Sequence, residues 1–215
     1  FWLKKLNKSK NKFIGAILLK DVGNKNKLKL QQSFNSNTFL DKATEIAIKK
    51  SGAIYEKGGF RTIYGNDETV FEAPGYKIPS ITITRFPFKE YHTSADTPSI
   101  VSEQNLKNAF EIIKNTISII ENNYIIKNNH KGLICLSNKK YDLYKPAYSP
   151  GINNDKYSEL ERKWNLLMNC LPMEAEKNIS ILNLAHKYDL DFFELYNYLI
   201  KWKNKKLINF NKIQY

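Results

Sequence analysis

Two short apolar runs set the frame into which this chain can fold. Phe13 to Leu19 is bounded by lysines and by Asp21-Val22-Gly23, and Ile78 to Arg85 alternates Ile81 and Ile83 against Thr82 and Thr84. The first run is short and ends in a glycine turn. The second has the period of two that sends successive side chains to opposite faces of a sheet, so both read as strands. Each is followed by residues at helical spacing. Thr38 with Asp41 three positions on makes a capping box, Leu40, Ala43, Ile46 and Ala47 follow at helical intervals, and Gly52 supplies the stop. Ser102 opens a longer helix whose stripe, Leu106, Phe110, Ile113, Ile117 and Ile120, is expected to face the core. Strand, helix, strand, helix in this order predicts an α/β layer with a mostly parallel sheet.

From residue 128 to 155, Asn, Lys, Tyr and Pro dominate, and Tyr148-Ser149-Pro150-Gly151 is a turn signal. This stretch reads as a connector between a first domain, 1–127, and a second, 156–215. In the second, Leu160, Trp164, Leu167 and Met168 share one face of a helix from Tyr157 to Leu171. Ile181, Leu182, Leu184 and Ala185 form a short helix, and Asp191 with Glu194 opens a third. Phe193, Leu195, Leu199 and Trp202 are its inner face, and Leu207 to Phe210 closes the unit as a strand. Three helices with a tight turn before the last, then a strand, make a winged-helix pattern. Lys201, Lys203, Lys205 and Lys206 cluster at the end of the third helix, whereas base edges are usually read from its start. Asp191 and Glu194 there repel phosphate, which favours a protein partner over DNA.

A chain of 215 residues that is 42% hydrophobic and 13% aromatic can bury one larger core and one small one. No apolar run approaches the ~20 residues of a membrane-spanning helix, so no membrane partner is expected. The opening, Phe1-Trp2-Leu3-Lys4-Lys5, has neither an initiator Met nor a signal pattern and reads as a chain entered in its middle. Cys135 and Cys170, far apart and in no metal-type spacing, fit reduced thiols in a cytoplasmic protein. The formal charge of +13 is scattered through Lys/Asn runs such as Asn24-Lys25-Asn26-Lys27, which reads as a solvated surface rather than a dedicated binding face.

Chemistry concentrates in three segments: Gly65-Asn66-Asp67-Glu68, Gly75-Tyr76-Lys77-Ile78-Pro79-Ser80-Ile81 and Tyr91-His92-Thr93-Ser94-Ala95-Asp96-Thr97. They are a turn displaying an acid, a loop entering a strand, and a His-bearing loop just past that strand's carboxyl end. In open α/β sheets ligand sites gather at such ends. A carboxylate oxygen and an imidazole nitrogen there suit zinc, at ~2.0–2.2 Å each.

These segments resemble the closing motifs of the M28-type zinc aminopeptidases. The strand Gly15 to Leu19 with Asp21-Val22-Gly23 also resembles that family's core strand. Arg85-Phe86-Pro87-Phe88-Lys89-Glu90-Tyr91-His92-Thr93-Ser94 is similar to a run in a bacterial subgroup of aminopeptidase-like proteins. That subgroup has an inserted small domain and a C-terminal winged helix.

The resemblance implies an aminopeptidase-like αβα sandwich, of which residues 1–127 are the C-terminal part. It implies Asp67 and His92 as metal ligands, with Arg85, Tyr91 and Glu68 as substrate-cleft residues and one or two zinc ions as cofactor. Asp96, Thr93 and Thr97 would orient the His loop. A family site also needs further ligands and a catalytic Glu to activate the bound water, and these come from motifs upstream of Gly15. Nothing from Phe1 to Phe13 supplies them, and His130 and His186 match no family motif. The expected function is therefore the C-terminal portion of a zinc-dependent aminopeptidase-like hydrolase acting on a peptide or amide. No catalytic residue would lie within this chain, which would be inactive alone. The alternatives are a glutaminyl-cyclase-like transferase on the same fold and a non-catalytic DNA- or protein-binding winged-helix protein.

Overall fold

A computed structural model of the protein describes residues 13–145 and 158–215. The opening Phe1–Leu3 and the turn signal Tyr148–Gly151 lie outside the described residues. The chain divides into two compact units, Phe1–Ile120 and Glu121–Tyr215.

The first unit is an α/β layer. Its strands are β1 (Ala16–Lys20), β2 (Leu28–Gln31), β3 (Tyr55–Gly58) and β4 (Ser80–Thr84), arranged in the order β1-β4-β2-β3. β1 runs parallel to β4 and β2 parallel to β3, while β2 meets β4 antiparallel, so the sheet is mixed but mostly parallel. Register gives the two faces opposite characters. Leu18, Lys20, Thr82, Thr84, Lys29 and Gln31 share one face; Ile17, Leu19, Ile81, Ile83 and Leu30 share the other.

Helix α1 (Phe39–Lys50) lies on the apolar face, where Glu45 reaches Lys57 Nζ at 2.6 Å and accepts from Tyr55 Oη at 3.4 Å. Its capping box forms as read from the sequence, and it also recruits an earlier loop. Asp41, 1% exposed, accepts from Ser33 N (2.8 Å), Ser33 Oγ (2.5 Å), Thr38 N (2.9 Å) and Thr38 Oγ1 (2.6 Å). The polar face is covered by residues 61–64, because Gln31 Oε1 accepts from Ile63 N (3.1 Å) and Tyr64 N (2.9 Å). A Cβ on Gly58 would stand 2.6 Å from Thr62 Oγ1, so this close crossing requires glycine.

One expectation is overturned. Helix α3 (Glu103–Glu121), which follows the single-turn helix α2 (Glu68–Phe71), buries Ala109, Ile112, Thr116 and Ile119. The predicted inward stripe lies on the adjoining face, with Leu106 44%, Phe110 62% and Ile117 47% exposed. The helix is apolar over two adjoining faces, and the one carrying Ala109, Ile112, Thr116 and Ile119 meets the core.

The second unit begins with β5 (Tyr124–Asn128), which pairs antiparallel with β6 (Ile208–Lys212) from Tyr124↔Lys212 to Asn128↔Ile208. The expected boundary at residue 127 therefore moves back to Ile120, since a strand goes with its partner. The other elements are α4 (Glu159–Glu176), α5 (Ile181–Tyr188) and α6 (Phe192–Asn204). Leu167, Leu171, Leu184, Leu195 and Leu199 are fully buried around Trp202. α4 runs five residues past its predicted end and carries Pro172 within it. No helix among the described residues is long and apolar enough to cross a membrane.

Replacing Asp41 by Ala strands several donors in a buried pocket and should cost about 2–4 kcal/mol. Urea unfolding of the variant, read by circular dichroism, measures that loss.

Candidate functional site

β4 is the strand that places the site. Paired on both sides and buried at all five positions, it delivers Arg85 and the following loop at the carboxyl end shared with β1. The Arg85 guanidinium turns inward, donating from Nε to Val22 O (3.1 Å) and from Nη1 to Asn26 O (2.5 Å). It ties this loop to the segment leaving β1, and burial lowers its pKa. Asn26 Nδ2 donates in return to Pro87 O, after the cis Phe86–Pro87 bond.

Beyond this anchor lies a cluster of rings. Tyr64 meets Phe86 edge-on at 4.8 Å, Phe86 meets Tyr91 at 5.3 Å, and Phe88 meets Tyr91 at 5.5 Å between centroids. The two phenols complete a clasp, with Tyr64 Oη 3.2 Å from Tyr91 Oη. The His92 imidazole stacks on Tyr91 at 4.0 Å and 20°, and its backbone is left-handed (φ 57), a conformation in which His is enriched. Asp67 sits three residues past Tyr64 at the N-cap of α2, exposed, with no cap bond from its side chain. The clasp thus brings the segments bearing Asp67 and His92 together and leaves both side chains facing solvent.

Glu68 and Arg85, read from the sequence as cleft residues, are 1% and 8% exposed. Both Glu68 carboxylate oxygens accept the Asn66 N–H, at 3.0 and 2.8 Å, and Arg61 Nη1 lies 3.5 Å away. Glu68 therefore ties its own loop, and Arg85 ties two separate segments together. Thr93 Oγ1 donates to Glu90 O (2.7 Å) and accepts from Ala95 N (3.2 Å), holding the His loop's turn. His130 and His186 lie in the other unit.

Sequence reasoning passed over Lys20 and Asp21. Lys20 Nζ sits 4.9 Å from the Tyr91 ring centre and 5.4 Å from that of Tyr64, and 3.4 Å from Asp21 Oδ2. Asp21 has a left-handed backbone (φ 53), and Oδ2 is buried without a hydrogen bond. A charged residue ending an apolar strand at its carboxyl end was the available signal.

An open cleft of about 660 Å³ lies beside the cluster, lined by Asn24, Asn26, Phe88, Glu90 and Ile100 among others. A second cavity of about 790 Å³ is walled by Phe34, Phe39, Phe60, Pro74 and Pro79. Its one acid, Glu72, is committed to Ser80 N (2.8 Å) and Phe34 N (3.2 Å). Asp67 and His92 suit zinc in kind but not in number. No three of His, Cys, Asp and Glu among the described residues stand close enough to hold a metal ion.

Residues 1–123 match the profile of a protein family described as a domain of unknown function (DUF4910). A curated relative from Clostridium acetobutylicum is named, provisionally, a polysaccharide biosynthesis protein with aminopeptidase-like domain. It is 29% identical over 156 residues, which are 71% of this chain and 33% of the relative. A crystal structure from the same organism, described provisionally as a peptidase, matches with a TM-score of 0.72 at 21% identity. That match covers 97% of this chain and 44% of the other, and at such identity the likeness is one of fold. The chain spans about a third of the length of the curated relative.

Burial lowers the Lys20 pKa, but the Asp21 carboxylate and the two phenols outweigh it and hold it above 10.5. The Tyr91 hydrogen bond, helped by burial, raises Tyr64 above 10.0 against the pull of Lys20. Both groups are held in their protonated forms more tightly folded than unfolded. Their stabilisation is therefore complete below pH ~10 and lost as pH rises through the raised values. Thermal melts from pH 8 to 11 should show a decline above pH ~10 that Tyr64→Phe makes shallower.

Proposed function

Since this chain belongs to the family described as a domain of unknown function (DUF4910), with relatives named aminopeptidase-like and peptidase, we propose that it is the C-terminal portion of a zinc-dependent aminopeptidase-like hydrolase. Support comes above all from the Tyr64–Tyr91 clasp. Two segments 27 residues apart, one carrying Asp67 and the other His92, are fastened at the carboxyl end of a parallel strand pair. The open cleft beside Phe88 gives a peptide or amide substrate a place to lie.

Asp67 and His92 are the residues that would hold metal here. A bound zinc supplies a polarised carbonyl and a water acidic enough to ionise near neutral pH. A catalytic zinc needs three protein ligands and an open position, so two donors make a partial site. Remaining ligands and the general base belong to another part of the parent protein, and this chain alone is inactive. Its own contribution is positional. Tyr91 fixes the imidazole plane, Lys20 buttresses both phenols, and Arg85 with Asn26 anchors the loop.

We read the second unit as a winged helix for a protein partner. The Asp191 carboxylate at the start of α6 accepts from Phe193 N and Glu194 N, both at 2.9 Å, and so presents negative charge where DNA would need a base reader.

The full-length protein should contain zinc by elemental analysis. His92→Ala should lower its metal affinity by at least about 100-fold, the scale of loss for partners that merely orient a ligand. Metal-free protein, or hydrolysis unaffected by His92→Ala, would sink the proposal.

A further inference from the structure

We propose that the cavity of about 790 Å³ at the amino end of β4 is a binding site for an apolar α-amino acid, held as its zwitterion between Glu72 and Lys77. The site stands apart from the hydrolase reading, because it lies at the other end of the sheet from the Tyr64–Tyr91 clasp. Pro79 immediately precedes β4, while Phe34 follows the last residues of β2 and Phe60 those of β3. Since β2 runs antiparallel to β4 and parallel to β3, both exits meet the start of β4. The clasp is built from residues beyond the end of that strand.

Three phenylalanines from separate segments make the apolar wall. Phe34 comes from the loop after β2, Phe39 from the first turn of α1 and Phe60 from the loop after β3. Phe34 is 68% exposed, yet it is tied twice. Its N–H donates to Glu72 Oε1 at 3.2 Å, and its ring meets that of Phe60 edge-on at 5.6 Å between centroids. A ring fixed at the rim of a cavity gives a ligand contact area with little further ordering to do. Rings already set edge to face favour an aromatic or branched apolar side chain between them.

Two opposite charges line the same cavity without meeting. Glu72 takes the N–H groups of Phe34 and Ser80 on Oε1 alone, which leaves lone pairs of Oε2 for a donor. Lys77 makes no ion pair among the described residues. Its backbone is left-handed (φ 51), uncommon for a residue with a long side chain, and is held by Tyr76 N and Lys77 N both donating to Ala73 O at 3.0 and 3.2 Å. A simple apolar acid would satisfy Lys77 and set a like charge against Glu72, and an apolar amine would do the reverse. An α-amino acid offers its ammonium to Glu72, its carboxylate to Lys77 and its side chain to the rings, so every group in the wall gains a partner.

Isothermal titration calorimetry of the full-length protein with L-phenylalanine, 3-phenylpropionate and phenethylamine tests the assignment, because the last two lack the ammonium and the carboxylate in turn. L-phenylalanine should bind at least about tenfold more tightly than either. Phe34→Ala, at an exposed ring, should weaken it about tenfold and leave the melting temperature unchanged. Lys77→Glu should remove the preference for L-phenylalanine over phenethylamine. His92→Ala should leave the affinity for L-phenylalanine as it is. No binding of L-phenylalanine or L-leucine, equal affinity for all three probes, or affinity lost in His92→Ala and kept in Phe34→Ala and Lys77→Glu would overturn the proposal. Zinc content of the same samples separates the two readings, since a metal-free protein that binds L-phenylalanine keeps this site and removes the hydrolase.

Discussion

The first unit depends on the burial of β4. Every residue from Ser80 to Thr84 is out of solvent, with β1 on one side and β2 on the other. A central strand buried on both faces normally reads as continuous Val, Ile and Leu. β4 instead carries Ile81 and Ile83 toward α1 and Thr82 and Thr84 toward the loop that crosses at Tyr64. Thr84 Oγ1 accepts the Phe86 N–H at 3.0 Å, which starts the turn into the aromatic cluster, while Thr82 Oγ1 lies buried without a partner. A polar sheet face under a crossing loop costs stability that two isoleucines would have supplied. It supplies instead a floor on which Lys20 and Gln31 can stand.

That division of faces explains what could be read in advance. The Ile/Thr alternation located β4 correctly because period two survives whether the polar side meets water or a loop. β2 and β3 left no such trace. Leu28-Lys29-Leu30-Gln31 and Tyr55-Glu56-Lys57-Gly58 are four residues each, and their charges look like loop. In the fold those charges are paired, Glu56 accepting Lys27 Nζ at 3.0 Å and lying 3.4 Å from Lys29 Nζ. α3 failed differently: with apolar residues on two adjoining faces, periodicity gives the existence of a buried face but not which one. β5 was lost because Tyr124-Ile125-Ile126 runs into asparagines, and its partner β6 lies 80 to 88 residues on in sequence, from Asn128↔Ile208 to Tyr124↔Lys212.

The site segments are held by rings and backbone rather than by ion pairs. Residues 86–92 carry a cis bond and a left-handed His92, and still present one imidazole in one plane because Tyr91 lies flat beneath it. Tyr91 is itself fixed from three directions by Phe86, Phe88 and the Tyr64 hydroxyl. Edge-to-face ring contacts stabilise by about 0.5–1.5 kcal/mol each and keep their strength in salt, unlike exposed charge pairs. The sequence displayed all of these aromatics, yet spacing alone could not say that Tyr64 and Tyr91 touch. Motif resemblance located the two segments, and the clasp supplies the physical reason for their meeting.

The carboxylates sort by what they already do. Asp41 and Asp67 both stand at helix starts, yet their environments are opposite. Asp41 is buried and accepts from two backbone amides and two hydroxyls, so its charge is fully used in closing a loop onto α1. Glu68 is used on Asn66, Glu72 on Phe34 and Ser80, and Glu174 in the second unit on Lys187 and Tyr188. Asp67 caps a single-turn helix without a side-chain bond and faces water. A carboxylate whose oxygens are occupied by its own backbone has fewer lone pairs left for a metal or substrate than one that faces water. By that criterion the acid next to Asp67 is excluded by its own hydrogen bonds. Asp67 faces solvent without a side-chain cap bond and keeps its carboxylate oxygens available, whereas the buried Oδ2 of Asp21 stands 3.4 Å from Lys20 Nζ.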